Sequence, residues 1–347
     1  MKKMMLGLAA SLLLIPTIGQ ADSLMPSAVT ATMEVGQSIT IPKILTVSKE
    51  PGSLAPVDVF FMADTTGSMW GTIAEVKTGA AQIMADTAGL GVVHYAVGEY
   101  KDFGYGDPYA YRLNQNLTGD TAAVQAGINM WGADGGWDTP EANLFALKTA
   151  ADETSWRDGS TRIMVWFGDA PGHDPSGGVT EASAIAALQA ENITVEALDV
   201  GNLDGTGQAT RIAAATGGDY FDGINVDNIV QTITDAITTI VNEYTTVALD
   251  LSMVPVGLSA TVTPGSYTGD YNREVERTFS FDVVLTADAA GLYSFDIYGL
   301  VDGSRVATES DRITVGDNPV PEPATMLLFG TGLATLAGFI RRRRDQR

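Results

Sequence analysis

Two short, almost wholly apolar runs, Val57–Met62 and Arg162–Phe167, set the fold class of this chain. Their length, and the absence of polar alternation, fit strands covered on both faces, as in a parallel sheet. Helix-like segments lie around them, at Trp70–Thr87, Thr121–Trp131, Glu141–Asp152, Thr180–Glu191 and Asp227–Glu243, and further strand-like runs lie at Val92–Val97 and Ile193–Val200. Strands alternating with helices over residues 56–244 predict an α/β, doubly wound, mostly parallel sheet.

The flanks carry a different period. Thr30–Val35 and Ser38–Ile41 alternate before this unit, and Thr246–Met253, Glu276–Ala287, Gly291–Tyr298 and Arg305–Val315 alternate after it. Segments 22–55 and 245–316 therefore read as two parts of one β-sandwich with the α/β unit inserted in it. With 347 residues, 45% of them apolar, the chain has material for both cores.

Both ends read as addresses. Met1-Lys2-Lys3, an apolar run to Ile18 and then Gly19-Gln20-Ala21 have the form of a signal peptide over residues 1–21, with cleavage after Ala21. At the other end, residues 317–347 hold Pro321-Glu322-Pro323, an apolar stretch at 324–340 and Arg341–Arg344. At about 1.5 Å per residue that stretch is a short transmembrane helix, and the arginines would keep its end cytoplasmic. A plain tail anchor is one reading. The order of parts also resembles the PEP-CTERM sorting tail of Gram-negative bacteria. That resemblance implies processing by an exosortase, transient anchoring in the inner membrane, and delivery to the cell surface or matrix.

Composition narrows the chemistry. The absence of cysteine excludes disulfides, thiolate metal sites and a Cys nucleophile. Two histidines, His94 and His173, are too few for a His-rich site. The formal charge of −22 includes the basic residues of both ends, so the remainder is more acidic still. Such a surface repels nucleic acid and anionic membranes, so contact with a membrane is expected only through the tail. No nucleophile–base pair or phosphate loop is present, and no enzymatic activity is expected.

Oxygen-bearing loops follow the strands. Asp64, Thr66 and Ser68, spaced by two, follow the first apolar run, and Asp169 follows the second. Between these two in sequence, a second loop, Gly135-Gly136-Trp137-Asp138-Thr139-Pro140-Glu141, precedes a helix, so the loop at Asp169 is the third. Ligands in such sheets bind beyond the carboxyl ends of strands, and hydroxyl and carboxylate oxygens suit Mg²⁺, Mn²⁺ or Ca²⁺. The same residues would also serve as a Ser/Thr helix cap and as a Pro-Glu helix start. Trp70, Trp131 and Trp137 read either as core and loop anchors or as a carbohydrate-binding rim.

Asp-x-Thr-x-Ser, Asp-x-Pro-Glu and a buried strand ending in Asp-Ala together resemble a von Willebrand factor A domain. They are most similar to the adhesion site of integrin β-subunit I-like domains, which sit in a β-sandwich hybrid domain. The resemblance implies that Thr66, Ser68 and Glu141 touch Mg²⁺ or Mn²⁺ directly, with Asp64 and Asp169 acting through water. It implies a second, Ca²⁺ site from Asp102, Asp138, Glu141 and the carbonyls of Gly136 and Pro140, although integrins have Asn where Gly136 stands. A third integrin site is not expected, because Gly71 and Thr72 stand where its acids would be. The expected function is adhesin-like binding of a protein or acidic polysaccharide through the cation. The alternative is a structural matrix protein whose cation only stabilises the loops.

Overall fold

A computed structural model describes residues 22–49, 55–104 and 106–316. Ala21, Pro321, Glu322, Pro323 and the apolar stretch 324–340 lie outside these residues. Among the described residues, no helix is long and apolar enough to cross a membrane.

The chain begins with β1 (Ser23–Met25), β2 (Ala28–Glu34) and β3 (Ser38–Val47). It then enters the α/β unit through β4 (Pro56–Asp64), α1 (Trp70–Thr87), β5 (Val92–Tyr100), β6 (Tyr111–Thr118), α2 (Thr121–Asn129) and α3 (Asn143–Glu153). β7 (Thr161–Gly168), α4 (Glu181–Ala190), β8 (Ile193–Asp199), α5 (Gln208–Thr216), β9 (Tyr220–Phe221) and α6 (Ile229–Asn242) complete it. β10 (Glu243–Asp250), β11 (Leu258–Thr263), β12 (Ser266–Asn272), β13 (Arg277–Ala287), β14 (Gly291–Val301) and β15 (Ser304–Gly316) follow.

The six-stranded sheet runs β6-β5-β4-β7-β8-β9. All its pairings are parallel except that of the edge strand β6 with β5. Strand alternation divides its core between two faces. Val57, Val59 and Phe61 of β4 pack with Ile73, Val76 and Ile83 of α1 and with α2 and α6. Phe60 and Met62 turn the other way, toward Leu144 and Leu147 of α3 and toward α4 and α5. From β4 the chain winds outward to β5, and from β7 it winds the opposite way to β8. The crevice between the carboxyl ends of β4 and β7 is thus the switch point of the sheet.

The flanking strands form two sheets, β1-β3-β13-β11 and β12-β10-β14-β15-β2. β3 pairs antiparallel with β13 and β2 pairs parallel with β15, so strands from either side of the α/β unit share both sheets. Their inward residues, among them Leu45, Val283, Ile297 and Ile313, make a separate core.

Several elements differ from the sequence expectation. β5 continues past Val97 to Tyr100, which carries it to the ligand end of the sheet. α3 starts at Asn143, so Glu141 is not helical. β6, α5, β9, β11 and β12 had no sequence signal. β6 is half-exposed along its whole length, so its sequence Tyr-Arg-Leu-Asn-Gln-Asn-Leu-Thr shows no apolar period. β12, Ser-Tyr-Thr-Gly-Asp-Tyr-Asn, is a polar edge strand with a central glycine.

Arg273 joins the two units. Its guanidinium donates to both carboxylate oxygens of Asp22 at 2.7 Å and to the carbonyl of Val241 at the end of α6, while its backbone N–H donates to Asn242. Asp22 also accepts from Ser48. Removing one partner strands a buried charge, so Asp22→Ala should cost about 3–5 kcal/mol. Urea unfolding should show the lost stability; a wild-type midpoint would mean that this pair does not hold the junction.

Candidate metal centre

The first loop begins at Asp64, the last residue of β4, whose carboxylate is wholly buried. Its Oδ1 accepts the Thr66 hydroxyl at 2.7 Å and the Thr66 backbone N–H at 2.9 Å. This turn brings the Thr66 and Ser68 hydroxyls to 3.4 Å from each other. A short 3-10 turn, Gly67–Met69, then leads into α1. Neither Thr66 nor any other side chain caps that turn or the helix. The helix-cap reading of Thr66 and Ser68 therefore fails, and the hydroxyls remain as donors toward the crevice.

The second loop is folded onto the first. Gly67 donates to the Gly135 carbonyl at 3.1 Å. Gly135 and Gly136 both have left-handed backbones, with φ of 73° and 62°. A Cβ on Gly136 would lie 2.4 Å from Thr66 Cβ and 2.9 Å from Glu141 Oε1. Glycine is therefore required here by conformation and by close approach together. Lys101 holds the preceding segment, donating to the carbonyls of Thr65, Gly132 and Asp134 and pairing with the Asp134 carboxylate.

Glu141 is placed by backbone pairing with the third loop rather than by a helix. Its N–H donates to the Pro171 carbonyl, and its own carbonyl accepts from His173, both at 2.9 Å. Glu141 and Gly172 thus form an isolated parallel bridge, which fixes the Glu141 carboxylate opposite the end of β7. Asp169 sits immediately after β7. Its carbonyl accepts from Asn202, and Gly201 packs against its side chain. Trp166 donates to the Tyr100 hydroxyl at 3.0 Å, and that hydroxyl lies under Gly168, making a buried floor.

The centre is anionic and poorly satisfied. Asp64 Oδ2, Glu141 Oε2 and Asp169 Oδ1 are buried and accept no hydrogen bond from the protein. Among the described residues, no Lys or Arg pairs with any of these three carboxylates. Burial, and then the Asp169 charge, push the Asp64 carboxyl up to about 7. Burial, followed by repulsion from Asp64, Asp102, Asp107 and Asp138, pushes Glu141 up to about 9. Buried oxygens with no donor call for an explanation, and a bound water or ion is one. Two hydroxyls with three carboxylates make a hard-oxygen set that fits Mg²⁺ or Mn²⁺. Among the described residues, no group of three or more acidic or histidine side chains alone is gathered to hold a metal.

The second set is partly assembled. Asp102, just beyond β5, and Asp138 each keep a buried oxygen with no hydrogen-bond donor. His173 Nε2 lies 3.4 Å from Asp102 Oδ1, which is a side-chain competitor for any cation there. Asp107, which the motif comparison did not single out, accepts the Gly136 N–H at 3.1 Å and adds to the charge on Glu141. Its position in a Gly-rich loop gave no sequence signal. Of the three tryptophans, Trp131 is core, packed edge-on against Phe167. Trp70, at the start of α1, and Trp137, in the second loop, are 73% and 77% exposed.

Residues 58–221 match the family model of the von Willebrand factor A domain, and residues 319–344 match that of the PEP-CTERM protein-sorting motif. No curated protein matches the chain. Among solved structures, the chain is similar to a von Willebrand factor type A protein from Catenulispora acidiphila. The two are 13% identical, with 88% of this chain and 76% of that one covered and a TM-score of 0.44. It is also similar to the pilus adhesin SpaC from Lactobacillus rhamnosus GG in an open conformation, at 15% identity and a TM-score of 0.41, with 80% of this chain covered. The match spans 45% of SpaC, less than half its length. The α/β unit of this chain is a von Willebrand factor A domain, and the chain ends in a PEP-CTERM protein-sorting motif.

Proposed function

We propose that this chain is an exported bacterial surface protein that binds an acidic ligand through a divalent cation held by Asp64, Thr66, Ser68, Glu141 and Asp169. The observation that carries this reading is the set of three buried carboxylate oxygens without donors, facing two uncapped hydroxyls at the switch point of the sheet. Thr66, Ser68 and Glu141 would contact the ion, and Asp64 and Asp169 would act through water. The cation supplies positive charge and an open coordination position for a carboxylate of a protein or acidic polysaccharide. The exposed rings of Trp70 and Trp137 give the ligand an apolar rim on an otherwise acidic surface. Asp102, Asp138, Glu141 and the carbonyls of Gly136 and Pro140 would hold Ca²⁺ beside it.

One observation favours a purely structural cation. Asp64, Thr66 and Glu141 are almost fully buried, with only Ser68 exposed and Asp169 half-buried, so ion binding to the folded state would stabilise three loops whether or not a ligand follows. Binding of purified protein to matrix polysaccharide in Mg²⁺ but not in EDTA supports the adhesive reading. Earlier melting in EDTA with no Mg²⁺-dependent binding supports the structural one.

Ser68→Ala removes a direct ligand, and Asp64→Ala removes a charge. Each should weaken Mg²⁺ or Mn²⁺ binding at least about tenfold, or about 1.4 kcal/mol. Titration calorimetry giving wild-type affinity for both variants would overturn the assignment.

The raised carboxyls give the centre a pH dependence. In chelator the folded state keeps protons on Asp64 and Glu141 that the unfolded chain releases near the ordinary carboxylate range. Stability from these groups is therefore full at acid pH and is lost as pH rises, up to about 9 where Glu141 ionises. A cation replaces those protons. The rise in melting temperature on adding Mg²⁺ should therefore grow from acid to alkaline pH in scanning calorimetry, and a constant increment would count against the site.

Export makes its own prediction. If the ends are processed, protein extracted from the surface of the parent cell begins at Asp22 and lacks Arg341–Arg344. N-terminal sequencing and peptide mapping read both ends, and an intact tail would indicate a permanent anchor.

A further inference from the structure

The sandwich core contains three charges that its fold does not need. Along β3 the inward positions are Ile41, Lys43, Leu45 and Val47; along β15 they are Glu309, Asp311, Ile313 and Val315. The two strands belong to opposite sheets, so Lys43, Glu309 and Asp311 meet between them, and the Lys43 and Glu309 side chains have no solvent exposure. Their partners across the ladders are apolar: Phe281 opposite Lys43, Phe295 opposite Asp311 and Ile297 opposite Glu309.

The geometry of the three groups is asymmetric. Lys43 Nζ donates to Glu309 Oε1 and lies 3.6 Å from Asp311 Oδ2. Asp311 Oδ1 accepts the backbone N–H of Val29 at 3.0 Å. Glu309 Oε2 and Asp311 Oδ2 accept no hydrogen bond from the protein. Burial, together with the Asp311 charge, holds the Glu309 carboxyl above the ordinary carboxylate range despite Lys43. One ammonium cannot compensate two carboxylates in an apolar interior, so the second negative charge is disfavoured there. A structural ion pair would satisfy its remaining lone pairs; this one leaves two oxygens orphaned beside an amine.

We propose that Lys43 and Asp311 condense into an intramolecular amide across the sandwich, with Glu309 as the catalytic proton carrier. Glu309 takes one proton from the Lys43 ammonium. The freed amine adds to Cγ of Asp311, forming the N–C bond, while the Val29 N–H stabilises the negative charge on Oδ1. Glu309 delivers its proton to Oδ2, takes a second proton from the nitrogen, and passes it on as the Cγ–Oδ2 bond breaks. Oδ2 leaves with two protons as water, one proton stays on the amide nitrogen, and Glu309 returns to its starting state. No oxidant or cofactor enters. The product replaces an ammonium and a carboxylate by a neutral amide, removing the cost of burying that pair.

The placement gives the bond a mechanical role. Lys43 precedes the α/β unit and Asp311 follows it, so the amide closes a covalent loop around the whole inserted domain. A chain without cysteine has no disulfide to do this. The link would resist pulling on a surface protein held at one end.

The test is the mass of the full chain purified in folded form, compared with the mass calculated for its observed termini. The proposal expects a protein lighter by one water. It also expects a proteolytic fragment in which the peptide containing Lys43 is joined to the peptide containing Asp311. Glu309→Gln keeps the shape but cannot carry protons, so it should restore the full mass while circular dichroism still reports the native fold. Lys43→Met and Asp311→Asn serve as a second pair: the first must abolish the link, and the second releases ammonia instead of water if it reacts. A folded wild-type protein at its full calculated mass overturns the proposal, as does a cross-link from Lys43 to Glu309 rather than Asp311.

Discussion

Uncompensated negative charge at the carboxyl ends of β4 and β7 is the constraint around which the α/β unit is arranged. Buried oxygens of Asp64, Glu141 and Asp169 have no Lys or Arg partner among the described residues, and the Asp64 and Glu141 carboxyls are pushed far from their ordinary values. A fold would not gather such groups for stability alone, since each unsatisfied anion costs free energy. The surrounding parts hold the loops in place against that repulsion. Lys101 spends its charge on the carbonyls of Thr65, Gly132 and Asp134 and on the Asp134 carboxylate instead of on these three acids. The bridge between Glu141 and Gly172 fixes a carboxylate by main-chain bonds, and Gly136 lets the second loop lie against Thr66. A centre so braced holds its oxygens together, and the proposed cation would supply the missing charge.

The sandwich answers a different constraint. β2 and β15 are parallel neighbours, and parallel strands require a long crossover. Here the crossover contains β3, the entire α/β unit and the strands from β10 onward. The chain returns to the sandwich without a linker, because α6 ends at Asn242 and β10 starts at Glu243. Asp22, Arg273 and the end of α6 meet at this return, so the first described residue of the chain is tied to the last helix of the inserted unit. Anything that displaces α6 acts directly on β10 and on that ion pair.

The sequence showed most clearly those elements whose burial is one-sided or complete. β4 and β7 carry continuous apolar runs because both faces are covered, and α1 lies at Trp70–Thr87 as its pattern indicates. The three ligand loops were legible because each combines a strand or helix boundary with oxygen donors at fixed spacing. Glu141 was misplaced into a helix because Pro-Glu before an apolar period is also a helix start; only long-range pairing with Gly172 decides otherwise. β6 and β12 were missed because edge strands need no apolar face. Asp107 was missed because its role is to accept a backbone N–H from a distant loop. Lys43 carried a signal that the strand pattern did not use: it occupies an inward position between Ile41 and Leu45, where a charge has to be explained.

The two buried clusters pose the same electrostatic problem and permit different answers. At the sheet, the excess charge lies beyond the carboxyl ends of the strands beside the Thr66 and Ser68 hydroxyls, where the proposed cation would bind. In the sandwich, Phe281, Phe295 and Ile297 are the ladder neighbours of Lys43, Asp311 and Glu309, and the three charged side chains have no solvent exposure. There the proposed answer is reaction between the groups already present. An amine 3.6 Å from an orphaned carboxylate oxygen, with a second carboxyl in contact to move the protons, supplies every participant in that reaction. A reversible centre on the inserted domain and an irreversible link in the sandwich that carries it would separate recognition from anchorage. The first would respond to cation and pH, and the second, once formed, would respond to neither.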